Sequence, residues 1–167
     1  MLHNYNIAIS NGLRMMVSVD DVERAQQDWG DGIVAISQAH ENGGDYVSLA
    51  RNHINTLYAY EIGPVLFKPT LAVIDQFRPT FETALSYFVA SNDACPEDEG
   101  FAIKGWKNVR FENDKVTTDG TRAFAMGNYF FTDQEGSEVK VEYTFCYIED
   151  RNGKLRIQVH HSSMPAI

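Results

Sequence analysis

From Trp106 to Pro165 the chain alternates apolar and polar side chains in runs that turn signals cut apart. Trp106–Glu112, Thr121–Thr132, Val139–Ile148 and Leu155–Pro165 each carry the period of two expected of a half-buried strand. Between the runs stand Thr118-Asp119-Gly120, Gln134-Glu135-Gly136 and Arg151-Asn152-Gly153, glycine-ended turns short enough to join neighbouring antiparallel strands. Strands joined this way form a meander of consecutive hairpins. The clearest run sends Val139, Val141, Tyr143, Phe145 and Tyr147 to one face and Lys140, Glu142, Thr144 and Cys146 to the other, while Gly127 in the preceding run marks a bulge position.

Upstream the period is helical. Ser18 with Asp21 three residues later reads as a capping box, and Val22, Ala25, Trp29, Ile33 and Ile36 follow on one face. Gly30 and Gly32 weaken this helix and let it bend or approach another backbone closely; Asn42-Gly43-Gly44 stops it. Asp45 opens a second helix that buries Tyr46, Leu49, Ala50, His53, Ile54 and Leu57, with His53 read as a core histidine. Tyr58–Thr70 is apolar, interrupted by Gly63-Pro64 and closed by Pro69, which predicts a bent or two-part strand. A third helix starts at Pro79-Thr80 with Phe81, Ala84, Leu85 and Phe88 as its stripe and Tyr87 on its flank. Helices first and a sheet afterwards is an α+β layout. Residues 1–17 show no clear period and read as an arm ahead of one domain over 18–167.

A chain of 167 residues suits one core, and no apolar run reaches the ~18 residues of a membrane span. The net charge of −9 argues against nucleic acid, because phosphate neutralisation needs clustered Lys and Arg. Cys95 and Cys146 form no CxxC or zinc-ribbon pattern. The first residues lack a secretory pattern, so the expected compartment is the cytoplasm.

Strict alternation along the last run puts Leu155, Ile157, Val159, His161 and Ser163 on one face and Arg156, Gln158, His160 and Ser162 on the other. The first set leads from aliphatics to an imidazole and a hydroxyl. It predicts a strand that crosses the core and ends in a small polar pocket. The ending HHSSMP (160–165), together with GPVLFKPT (63–70), resembles the iota-class carbonic anhydrases. These are relatives of the calcium/calmodulin-dependent kinase II association domain within the NTF2-like superfamily, and the likeness runs from about Ser18 to Pro165. It implies an NTF2-like cone with N-terminal helices packed on a strongly curved antiparallel sheet, and interconversion of CO2 and bicarbonate. It adds Thr70 and Tyr87 to His161 and Ser163 as catalytic groups, with Thr70, Tyr87 and Ser163 binding substrate. No cofactor is implied, although some relatives have been linked to zinc or manganese.

The residues themselves favour a metal-free site. His160 and His161 face opposite sides of their strand and there is no HxH pair, so a zinc set is hard to assemble. Hydroxyls of Thr70, Tyr87 and Ser163 would then hold the bicarbonate oxygens, with His161, of ordinary pKa ~6.5, as proton acceptor or relay. Each group also has a plain reading: Ser163 as a strand terminator, Thr70 as a turn residue, Tyr87 as a packing aromatic. His160 and Ser162 are expected at the surface or at a subunit contact. An isomerase- or cyclase-like enzyme on the same cone, or a non-catalytic oligomerisation module, stay as rivals. The first would need a roomy cavity and an inward acid, yet Glu138, Glu142 and Asp150 lie opposite the apolar face. A homodimer through the outer sheet face, with Thr144, Cys146 and Ile148, is expected in every case.

Overall fold

Ser18 accepts the backbone N–H of Asp21 while the Asp21 carboxylate accepts that of Ser18, and this reciprocal cap opens α1, Val19–Glu41. The computed structural model describes residues 16–166, so the arm expected over residues 1–17 lies, apart from Met16 and Val17, outside the described residues. Asp45 caps α2, Tyr46–Leu57, and Thr80 with Thr83 caps α3, Phe81–Val89. α1 buries Val22, Trp29, Ile33 and Ile36, as its spacing predicts. α2 buries Ala50, His53, Ile54 and Leu57 but leaves Leu49 exposed. Gly32 is where α2 comes close: a Cβ there would collide with the His53 ring.

Five strands form one sheet: β1 Leu66–Lys68, β2 Asn108–Thr118, β3 Arg122–Thr132, β4 Glu138–Glu149 and β5 Leu155–Ser163. Their order is β1-β5-β4-β3-β2, so β2 to β5 are the expected antiparallel meander. The sheet is nonetheless mixed, because β1 pairs parallel to β5, with Phe67 opposite His160. Parallel neighbours need a long connection, and α3 with the whole meander supplies it. The two-part strand is found as well: Tyr58 bridges Ile157 before the chain turns at Gly63-Pro64 and re-enters as β1. The bulge signalled by Gly127 lies in its partner. β2 shifts register between Asn113 and Lys115, and a Cβ on Gly127 would strike the Glu112 carbonyl.

A second bulge decides the site. In the β4–β5 pair Tyr147 faces Ile157, Phe145 faces His160 and Tyr143 faces Ser162, so β5 advances three residues where β4 advances two. The extra residue reverses the inward parity beyond it. The inner row of β5 is therefore Ile157, His160 and Ser162, whereas Val159, His161 and Ser163 stand in register with the outward-facing Cys146, Thr144 and Glu142.

Candidate active site

His160 is buried at the centre of an aromatic cage. Phe67, brought by β1, stacks on the imidazole at 4.5 Å and 15°; Phe145 from β4 meets it edge-on at 4.3 Å and 80°, and Trp29 from α1 at 5.7 Å and 84°. Rings on three sides leave the imidazole one plane and its two nitrogens as the polar outlets. Nδ1 lies 2.8 Å from Tyr58 Oη, which itself accepts the Trp29 Nε1–H at 3.0 Å. Nε2 lies 2.8 Å from Ser162 Oγ and 3.3 Å from Tyr129 Oη, and Tyr129 Oη is also hydrogen-bonded to Ser162 Oγ.

These groups border a small cavity walled by Trp29, Phe67, Pro69, Phe88 and Phe101, with Thr70, Tyr87, Tyr129, His160 and Ser162 as its polar members. The cavity measures about 10 Å³, roughly the space a single water molecule needs. Thr70 follows the buried Pro69 beyond the end of β1 and acts on both the Tyr87 and the Tyr129 phenol. Burial pushes both phenols above their ordinary value, so at neutral pH each keeps its proton and can donate it. A steroid-sized substrate has no place here.

Two expected members stand elsewhere. His161 is exposed and Ser163 half-buried on the outer sheet face, beside Met126, Asn128 and Thr144, with Ser163 Oγ donating to Glu142 at 3.1 Å. The β5 bulge is the reason: one inserted residue exchanges the two His-Ser pairs. His160 and Ser162, expected at the surface, line the cavity in their place. Thr70 and Tyr87 are brought together as expected, although Tyr87 is buried rather than on a flank. Alternation and apolar spacing singled out neither Tyr58 nor Tyr129; Tyr129 sits inward on β3 two residues before Phe131, which was the one available signal. Among the described residues no group of three or more His, Cys, Asp or Glu is placed to hold a metal ion.

Burial holds His160 well below the ordinary histidine value and takes the core His53, whose Nε2 has no partner, down to about 3. Both stay neutral in the fold where the unfolded chain, at ~6.5, would gain protons. The unfolded state then binds more protons below pH ~6.5, so stability is full above that value and falls as pH drops toward 3. The loss approaches about 1.4 kcal/mol per pH unit for each histidine. Urea midpoints measured at pH 7, 5.5 and 4.5 should fall accordingly, with a shallower slope in His53→Leu; a flat series in both proteins contradicts the burial of neutral imidazoles.

A family model described as metal-independent carbonic anhydrase matches residues 20–164. A protein of that name from Nostoc sp. strain PCC 7120 is 42% identical over 152 residues, covering 89% of this chain and 74% of that one. The crystal structure of an iota-carbonic anhydrase from a cyanobacterium, complexed with bicarbonate, superposes with a TM-score of 0.89 at 41% identity, covering 91% of this chain and 94% of that one. A calcium/calmodulin-dependent protein kinase II association domain from Xanthomonas campestris, at 22% identity, a TM-score of 0.60 and 90% and 91% coverage, shares the fold. The architecture, three helices packed on a mixed five-stranded sheet, is the NTF2-like one that the family resemblance implies.

Proposed function

The chain belongs to the metal-independent carbonic anhydrase family, the iota class, which interconverts CO2 and bicarbonate, and from that premise we propose that Thr70, Tyr87 and Ser162 hold the bicarbonate oxygens in the cavity beside His160. One observation carries this reading: five polar side chains from four segments of the chain, His160 and Ser162 sharing β5, converge on one small cavity whose other walls are apolar and mostly aromatic. An apolar wall receives linear CO2, and the hydroxyls meet the oxygens that gain charge. In the hydration direction a water oxygen adds to the carbon, one C=O π pair moves onto oxygen, and the water gives up a proton that leaves for solvent. Donors fixed before the charge develops cost no reorganisation when it does, and each is typically worth about 10²–10³ in rate. His160, kept neutral by burial, carries a single ring proton at rest and serves by seating Ser162.

Two finer expectations fit this reading. Phe124 and Met126 project from the outer sheet face, 46% and 55% exposed, and a second copy of the chain packed there would cover them. Cys95 and Cys146 are both free, which suits the reducing cytoplasm; no helix among the described residues is long and apolar enough to cross a membrane.

The test is CO2 hydration by the purified protein after exhaustive chelation, with metal content measured in parallel and light scattering on the same sample. Retained activity, loss of about 10²-fold in Thr70→Val and a mass of twice 18.9 kDa are expected. Activity that vanishes and returns only with zinc or manganese overturns the hydroxyl mechanism, and a monomer at micromolar concentration overturns the dimer.

A further inference from the structure

The hydrogen bonds that run from α1 to β5 have a direction. An indole N–H can only donate, so the Trp29 Nε1–H spends its proton on Tyr58 Oη at 3.0 Å. Tyr58 keeps one proton of its own, and among the described residues the other hydrogen-bond partner of its hydroxyl is His160 Nδ1 at 2.8 Å. When Tyr58 donates there, Nδ1 is an acceptor, and a neutral imidazole must carry its hydrogen on Nε2. That N–H points at Ser162 Oγ, 2.8 Å away. Ser162 then accepts from the histidine, and its own proton is left for Tyr129 or for an oxygen in the cavity.

The reverse arrangement is poorer. With hydrogen on Nδ1, Tyr58 would receive two donors and its own proton would be stranded in a wall of rings, among them Phe67 at 5.6 Å and Phe88 at 6.1 Å. Stranding one buried hydroxyl shifts the balance by roughly five-fold or more. The ring cannot escape by turning, since Phe67 stacks on one face and Phe145 and Trp29 close its edges.

We infer that Trp29 and Tyr58 are positioning residues that hold His160 as its Nε2–H tautomer, so that His160 meets the reaction as a hydrogen-bond donor to Ser162 and not as its general base. This rests on the reading of His160 and Ser162 as parts of the bicarbonate site. It deepens that reading by assigning Ser162 the donor's part toward a substrate oxygen. The polarity of the site is set from α1, two side chains away from the cavity's polar members.

The experiment is nitrogen NMR of the ¹⁵N-histidine-labelled full chain at pH 7, joined to kinetics. In the wild type the His160 pair should read as a protonated Nε2 and a bare Nδ1; a protonated Nδ1 with a bare Nε2 overturns the inference with no variant needed. Tyr58→Phe removes the donor at Nδ1, so the two nitrogens should move toward averaged positions. Its kcat should fall about ten-fold with KM changed less than about two-fold, because orientation and not binding is lost. In a Ser162→Ala background Tyr58→Phe should cost less than about two-fold more, since its effect passes through Ser162; a full ten-fold further loss overturns the assignment. A fully active Ser162→Ala sinks the proposed site itself, and the wild-type tautomer tells that failure apart from this one.

Discussion

Ser162→Ala lowers CO2 hydration by about 10²–10³-fold, while Ser163→Ala stays within about two-fold of the wild type. The two serines are sequence neighbours of one chemistry, and they differ in which side of β5 they occupy. Ser162 is 1% exposed and hydrogen-bonded to His160 and Tyr129 at the cavity. Its loss removes a fixed donor and leaves the His160 Nε2–H without its nearest acceptor. Ser163 faces the outer pocket and donates to Glu142, a surface pair of small consequence. The histidines should divide the same way, His160→Ala being costly and His161→Ala mild. Stopped-flow hydration assays on the folded variants decide the matter: an inactive Ser163→Ala beside an active Ser162→Ala would mean that β5 runs without its bulge and that strict alternation was right.

Asp98→Ala destabilises the protein by about 3–5 kcal/mol, the usual effect of taking one partner from a buried ion pair. The Arg78 side chain is fully buried, and its Nη2 lies 2.6 Å from Asp98 Oδ1. Arg78 ties several segments together. Its N–H donates to the Phe67 carbonyl at 2.8 Å, its own carbonyl accepts from Tyr60 Oη at 2.7 Å, and its guanidinium lies 5.8 Å from the centre of the Tyr87 ring. Removing Asp98 strands a cation beside a tyrosine of the site, so activity should fall along with stability. Because Arg78 Nε and Asp98 Oδ2 already lack partners, the pair is incompletely satisfied. Replacing both residues together, as Arg78→Met with Asp98→Leu, should therefore recover a good part of the loss. Urea unfolding with an unchanged m-value is the measurement; a loss under about 1 kcal/mol in Asp98→Ala would show that the pair is open to water.

Much of this fold is legible before any coordinates. The caps Ser18, Asp45 and Thr80, the stop at Asn42-Gly43-Gly44 and the three glycine turns are local chemistry, written within a few residues of the feature they produce. The inward row Val141, Tyr143, Phe145 and Tyr147 is legible because the faces of β4 alternate with the period of two, although Val139 at its start is exposed and Cys146 on the other face is buried too. The parallel pairing of β1 is not, since it joins Phe67 to His160 across most of the chain. Tyr58 and Tyr129 join the site in the same way: Tyr58 meets His160 only once its segment bridges Ile157 of β5, and Tyr129 only once β3, β4 and β5 lie in one sheet.

The sequence alone determined that helices precede an antiparallel meander and which family the chain resembles, while strict alternation pointed to His161 and Ser163, which stand on the outer face. Only the tertiary structure decided which histidine and which serine line the cavity. Side-chain parity is a property of a strand and its partner together, and an inserted residue reverses it wherever packing gains from the reversal. Here the gain is an imidazole enclosed by Phe67, Phe145 and Trp29, and nothing in Gln158 or its neighbours announces it.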